Sequence, residues 1–217
     1  MTMQVGMVGI DGIVLASDKV WILARTRVTQ TVTKLKYDSE RGIGVRCAEA
    51  DLSLNIASRI VECLPDGNHE SPCLLLEQYA KEIMSGFDTP TFRRFGRPLQ
   101  SQCLVALNKP LGLFSLKAGL EGVKCQKIDD KTRVGDMENS ALFFLESYYS
   151  SRPVKQLAFL AAHIVLEAAR RNPAGVGGLE VLICEDGGVR MLDAERIAEI
   201  KQRSDALHAK VEQKLFS

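Results

Sequence analysis

Two runs of β-forming residues, Val5 to Ile10 and Ile13 to Ala16, flank Asp11-Gly12 near the start of the chain. An Asp-Gly step between such runs is the strongest short-range signal for a β-hairpin. The chain therefore enters its fold as a strand, with a threonine at position 2 and with Asp18 carried back on the return strand. A strict two-residue turn predicts Asp18 opposite Val5, so the pattern brings Asp18 near Thr2 without fixing a contact. Residue 2 is small, so cytosolic processing is expected to remove Met1. Thr2 would then hold a hydroxyl and a free α-amine, whose pKa of about 7.7–8 suits it to take the hydroxyl proton. That is a nucleophile and its base on one residue.

The following residues extend the pattern. Lys34-Leu35 opens a second hairpin, with strands over Lys34 to Tyr37 and Gly42 to Cys47. Together, Thr2, Asp11-Gly-Ile-Val-Leu-Ala-Ser-Asp18 and Lys34-Leu35 resemble, in order and spacing, the β-type subunits of the proteasome and their bacterial relatives, which are N-terminal-nucleophile hydrolases. The offset from Thr2 is the same for all three pieces. The resemblance implies Thr2 as nucleophile and base, with Asp18 and Lys34 as the charged pair beside it. An ammonium near the hydroxyl favours its ionised form, and a carboxylate keeps that ammonium charged and in place.

Further along, the chain departs from the family. The family's A-G-G-x-A-D reads Arg46-Cys47-Ala48-Glu49-Ala50-Asp51, so the backbone N–H expected to bind the oxyanion belongs to Cys47, and Arg46 and Glu49 alter the adjacent substrate pocket. The family's G-S-G-S turn becomes Gly135-Asp136-Met137-Glu138. Its R-D-x-x-S-G turn becomes Arg171-Asn172-Pro173-Ala174-Gly175-Val176. Asp136, Asn172 and Gly175 thus stand where the family has supporting serines and an aspartate.

The remaining sequence reads as strands, two helices, strands, two helices, strands and a helix. Helical periodicity runs through Leu52, Ile56 and Ile60, through Leu74 to Ile83, through Ala141 to Tyr148 and through Val154 to Ala168. Strands are read over Gln100 to Leu107, Leu111 to Leu116, Val123 to Ile128 and Leu179 to Cys184, with a last hairpin at Asp186-Gly187-Gly188 and a C-terminal helix. Runs of like elements argue for α+β and against a doubly wound parallel sheet. Two antiparallel sheets between helical layers satisfy the order, and this αββα sandwich is also what the resemblance implies, as a single domain over residues 1–217.

Several functions are excluded or disfavoured. A net charge of +1 from 28 basic and 27 acidic residues gives no global field for nucleic acid or membrane. The basic and aromatic loop Phe87 to Pro98 is too short to be a stacking platform. The glycine-rich Asn172 to Gly178 leads into a strand, the reverse of a phosphate-binding loop. No apolar run approaches the roughly 18 residues that span a bilayer, so a soluble, cytoplasmic protein is expected. The six cysteines are read as reduced core residues and His163 as a satisfied core histidine, leaving no metal site and no cofactor. The resemblance implies a threonine peptidase acting on peptides or unfolded proteins. The resemblance further implies a homo-oligomeric ring, in a stacked double ring, that an ATP-dependent unfoldase could feed. A non-catalytic ring subunit and a hydrolase of small amides are the alternatives.

Overall fold

The computed structural model describes residues 2–22, 29–47, 51–65, 70–86, 100–135 and 138–216. Strand β1 (Met3–Val8) pairs antiparallel with β2 (Gly12–Ser17), as the Asp-Gly signal predicts, but in a different register. Val8 faces Ile13 and Val5 faces Ala16. The loop is thus longer than a two-residue turn, and Asp18 lies beside Met3, with its N–H on the Met3 carbonyl at 3.1 Å. The cause lies far away in sequence. Asp11 does not close a tight turn, because its carboxylate accepts the N–H of Val154 at 2.7 Å and so caps a helix.

Two short strands that the sequence patterns do not announce, β3 (Val20–Ile22) and β4 (Thr29–Thr31), pair with each other. The second hairpin is β5 (Leu35–Asp38) and β6 (Ile43–Cys47), followed by helices α1 (Asp51–Cys63) and α2 (Pro72–Ser85). The meander is β7 (Gln100–Asn108), β8 (Leu111–Gly119) and β9 (Gly122–Ile128). A strand that the sequence reading missed, β10 (Lys131–Gly135), then crosses to the first sheet and pairs with β1. Helices α3 (Leu142–Tyr148) and α4 (Val154–Arg171), strands β11 (Glu180–Glu185) and β12 (Gly188–Met191), and helix α5 (Ala194–Phe216) complete the order. The loop Phe87 to Pro98 lies outside the described residues.

The result is an α+β sandwich. One sheet runs β10-β1-β2-β11-β12 and the other β5-β6-β7-β8-β9. Period-two alternation assigns the side chains to layers. On β2, Val14 and Ala16 pack under α3 and α4 with Leu157, Ala161 and Val165. Ile13 and Leu15 point the other way, into the layer between the sheets, with Leu104, Leu113 and Leu182. On β6, Ile43, Val45 and Cys47 pack against α1 and α2. Gly44 and Arg46 therefore face the opposite sheet. At Gly44 a Cβ would come within 2.7 Å of Leu182, so glycine there sets how closely the sheets approach. Each fully buried aliphatic side chain stabilises such layers by about 1.5–3 kcal/mol.

Candidate active site

The site lies where β1, β2, β5 and β6 end together. Asp18 follows β2, Lys34 precedes β5, and Arg46 is on the inter-sheet face of β6. The longer first hairpin moves Asp18 next to Thr2. Asp18 accepts the Thr2 hydroxyl on Oδ1 at 2.6 Å and the Met3 N–H on the same oxygen at 2.8 Å. Its Oδ2 accepts Lys34 Nζ at 2.7 Å and the Val20 N–H at 3.0 Å. Lys34 Nζ also donates to Thr2 Oγ1 at 2.7 Å. The trio expected from the sequence is thus in mutual contact.

A fourth group joins it. Arg46 Nη2 donates to Thr2 Oγ1 at 3.1 Å and lies 3.6 Å from Asp18 Oδ1. The hydroxyl is then saturated, giving one hydrogen bond and accepting two. Asp18, Lys34 and Arg46 are wholly buried, whereas Thr2 retains 8% of its surface. Thr2 is thus the one member of the cluster with surface left to solvent.

Two cations share one carboxylate here, and burial acts on both. Desolvation lowers the Lys34 pKa most strongly, Asp18 opposes it and Arg46 adds to it, leaving the ammonium at about 8. Arg46 is lowered by burial to about 10 and so stays charged at neutral pH. The Cys47 thiol is pushed up to about 11 by burial, which rules it out as a competing nucleophile at neutral pH.

Sequence reasoning missed Glu180. Its Oε2 accepts the backbone N–H groups of Lys34 at 3.0 Å and Leu35 at 3.3 Å, and its Oε1 pairs with Lys19 at 3.5 Å. A buried carboxylate on β11 thereby fixes the backbone from which Lys34 reaches Thr2. The signal was present as a lone acid within Leu179-Glu180-Val-Leu-Ile-Cys184. Gly135, at the end of β10, has φ +109°, and a Cβ there would sit 1.9 Å from the Thr2 carbonyl oxygen. Only glycine lets β10 lie against the Thr2 backbone.

The other expected residues fall differently. The Cys47 N–H donates to the Lys34 carbonyl at 3.1 Å, so in this geometry it is engaged within the sheet and not turned to an oxyanion. Its carbonyl accepts Gln4 Nε2 at 3.3 Å. Asn172 ends α4, where its carbonyl accepts the N–H groups of Gly175 and Val176. The same turn continues to Gly177, whose carbonyl accepts the N–H of Lys19 at 2.7 Å, beside Asp18. Glu49 and Asp136 lie outside the described residues.

No protein-family model matches the chain, and no curated protein is detectably similar to it. Solved structures are. Anbu from Hyphomicrobium sp. strain MC1 superposes with a TM-score of 0.71 at 14% identity, over 98% of this chain and 96% of that one. Anbu, an ancestral beta-subunit, from Yersinia bercovieri gives 0.68 at 17% identity, over 97% of each chain. The Anbu complex from Pseudomonas aeruginosa, a helical assembly, gives 0.69 at 17% identity, over 97% of this chain and 96% of that one. Across nearly its whole length the chain has the proteasome-like sandwich fold of Anbu.

Proposed function

We propose that the chain is a proteasome-like threonine hydrolase that cleaves peptide bonds with Thr2 once Met1 has been removed. The observation that carries this is the Thr2 hydroxyl held at once by Asp18, Lys34 and Arg46. Such saturation by one acid and two cations has no use for an ordinary strand-end threonine. In the mechanism the α-amine of Thr2 takes the hydroxyl proton while Lys34, held charged by Asp18, stabilises the forming alkoxide. The oxygen attacks the carbonyl carbon, and the α-amine then returns the proton to the leaving nitrogen.

The chain is further proposed to work as a homo-oligomer. Closure into a ring, single or stacked, would keep folded proteins from the site, while the helical form of the Pseudomonas aeruginosa Anbu complex is the other arrangement open to this fold. Sedimentation distinguishes them, because a ring gives one discrete species and a helical assembly grows with concentration. A stable monomer overturns both.

The chemistry is tested by mass. Protein that has lost one methionine should form a stoichiometric adduct with an electrophile that must bond to both the hydroxyl and the α-amine of one residue. An active protein that retains Met1 refutes the mechanism, since an acylated amine has no lone pair to accept the proton. Processed protein that forms no adduct and cuts no peptide would be a non-catalytic subunit.

A further inference from the structure

Arg46 is the feature that the proposed mechanism leaves unused. Its guanidinium is fully buried in the layer between the sheets, which the apolar Leu15, Leu104 and Leu182 share with the buried polar Gln4 and Ser17. Nη2 is bonded to Thr2 Oγ1, but Nε and Nη1 have no hydrogen-bond partner among the described residues. Asp18, the carboxylate nearest to it, is shared with Lys34 at the shorter distance of 2.7 Å against 3.6 Å. A buried cation with two idle donors and half a counter-ion destabilises the fold, and an apolar side chain of similar size would be better tolerated. Its presence against the nucleophile therefore calls for a chemical role. At the same time the expected main-chain donor, the Cys47 N–H, is engaged by Lys34.

We propose that Arg46 is a catalytic residue whose guanidinium, seated on Thr2 Oγ1, is the fixed positive charge that stabilises the anionic oxygen formed when Thr2 attacks an acyl group. This rests on the threonine-hydrolase reading above. In the attack, an electron pair on Oγ1 forms the bond to the carbonyl carbon, the hydroxyl proton passes to the α-amine, and the carbonyl π pair moves onto the carbonyl oxygen. Collapse restores the carbonyl and breaks the C–N bond, whose pair leaves with nitrogen and takes up the proton from the α-amine. Oγ1 and the oxyanion are bonded to one tetrahedral carbon, so a cation held on the first stands beside the second. Arg46 neither gains nor loses a proton. Its effect is electrostatic and present before the reaction begins, the kind of stabilisation that acts most strongly in a site closed to water.

The test uses the full, Met1-processed protein and two substitutions. Arg46→Met removes the charge and keeps the bulk. It should fold with a melting temperature equal to or above that of the wild type, because a buried, half-matched cation is gone. Its kcat on a fluorogenic peptide should fall about 100-fold, with KM within about threefold. The alkaline limb of its pH–rate profile should move upward, because Lys34, lowered mainly by burial, loses the neighbouring cation that adds to the fall. A purely structural arginine would, when removed, lower stability and leave kcat at the wild-type value. Wild-type kcat in a folded Arg46→Met protein overturns the assignment alone. Should that variant fail to fold, Arg46→Lys decides: a kcat at or below about a tenth of wild type supports the assignment, and any higher value overturns it. A wild type that cuts nothing and takes no adduct at Thr2 overturns the hydrolase reading and this assignment with it.

Discussion

Two buried polar clusters in this molecule differ in a way that separates chemistry from architecture. The first is Thr2, Asp18, Lys34 and Arg46. The second lies between α4 and α5, where His163 Nδ1 meets Ser204 Oγ at 2.8 Å and the buried Glu167 meets Arg170 and His208. Arg170 also reaches Asp205, and His163 is flanked by the rings of Phe144 and Phe159. There the cations lie beside acids, and none of the buried polar atoms that lack a partner belongs to this group. At the first cluster two cations crowd one carboxylate, an ammonium is pushed down to about 8, and guanidinium nitrogens stay idle. Both hold a buried carboxylate, but in the second only Glu167 is buried while its charged partners reach solvent. What marks the first is the imbalance, gathered around a single hydroxyl on a residue that keeps a little exposed surface.

The largest expected effect breaks the first cluster at its centre. Thr2→Ala should lower peptide cleavage by about 10⁴-fold or more, with the oligomer unchanged in sedimentation, whereas Thr2→Ser should keep part of the activity because hydroxyl and amine remain. Cleavage by the alanine variant would move the nucleophile elsewhere. Next comes Lys34→Arg. The planar guanidinium keeps the charge but cannot place a compact ammonium between Thr2 Oγ1 and Asp18 Oδ2, so a kcat loss of about 100-fold is expected with little change in stability. Asp18→Asn should cost a similar factor in rate and also about 3–5 kcal/mol in stability, because it leaves two buried cations without their acid. Denaturant titration of the two variants side by side separates them.

The trio was legible because its members are fixed by local spacing. Thr2, Asp18 and Lys34 stand at the ends of two hairpins, and hairpins are written in short-range signals such as Asp11-Gly12. The register was not legible. It depends on Asp11 capping α4 at Val154, a contact 143 residues away that no local pattern announces. Glu180 was hidden for a related reason: its partners are the backbone N–H groups of Lys34 and Leu35, which any sequence has. Arg46 alternates with Val45 and Cys47, and alternation commonly means a solvent face. In a two-sheet sandwich both faces of β6 are covered, so the same pattern aims Arg46 at Thr2. β10 was overlooked because Lys131 to Gly135 is polar, and it is held by pairing with β1 instead of by apolar burial.

The second cluster should respond in the opposite sense. Ser204→Ala removes the partner of His163 Nδ1 inside a closed layer and is expected to destabilise by about 1–3 kcal/mol, while kcat and the pH–rate profile stay as in the wild type. A rate loss larger than the loss of folded protein would show that this region feeds the active site, and the contrast between the clusters would then fail.

The smallest effect concerns His163 and sharpens the contrast through pH. Burial lowers its pKa below the ordinary value of 6.5, with Glu167 opposing and the charges of Arg170 and His208 adding to the fall. The folded imidazole therefore stays neutral at a pH where the unfolded chain has already taken up a proton. The unfolded state binds more protons as pH drops through 6.5, so the contribution of neutral His163 is fully present above that pH and is lost below it, by at most about 1.4 kcal/mol per pH unit. Urea midpoints at pH 7.5 and 5.5 should differ less in His163→Gln than in the wild type, because glutamine keeps a polar partner for Ser204 and does not titrate. Peptide cleavage at pH 7.5 should be unchanged. Equal pH sensitivity in the two proteins would assign the acid loss to other groups. Lys34 responds with the same sign in a higher window: its lowered pKa means that burying the charged ammonium destabilises the fold below about pH 8, and stability should rise as pH climbs from there towards 10.5. The buried lysine beside Thr2 and the neutral histidine between two helices are thus separated by the pH window of their response, near 8 to 10.5 for the first and below 6.5 for the second.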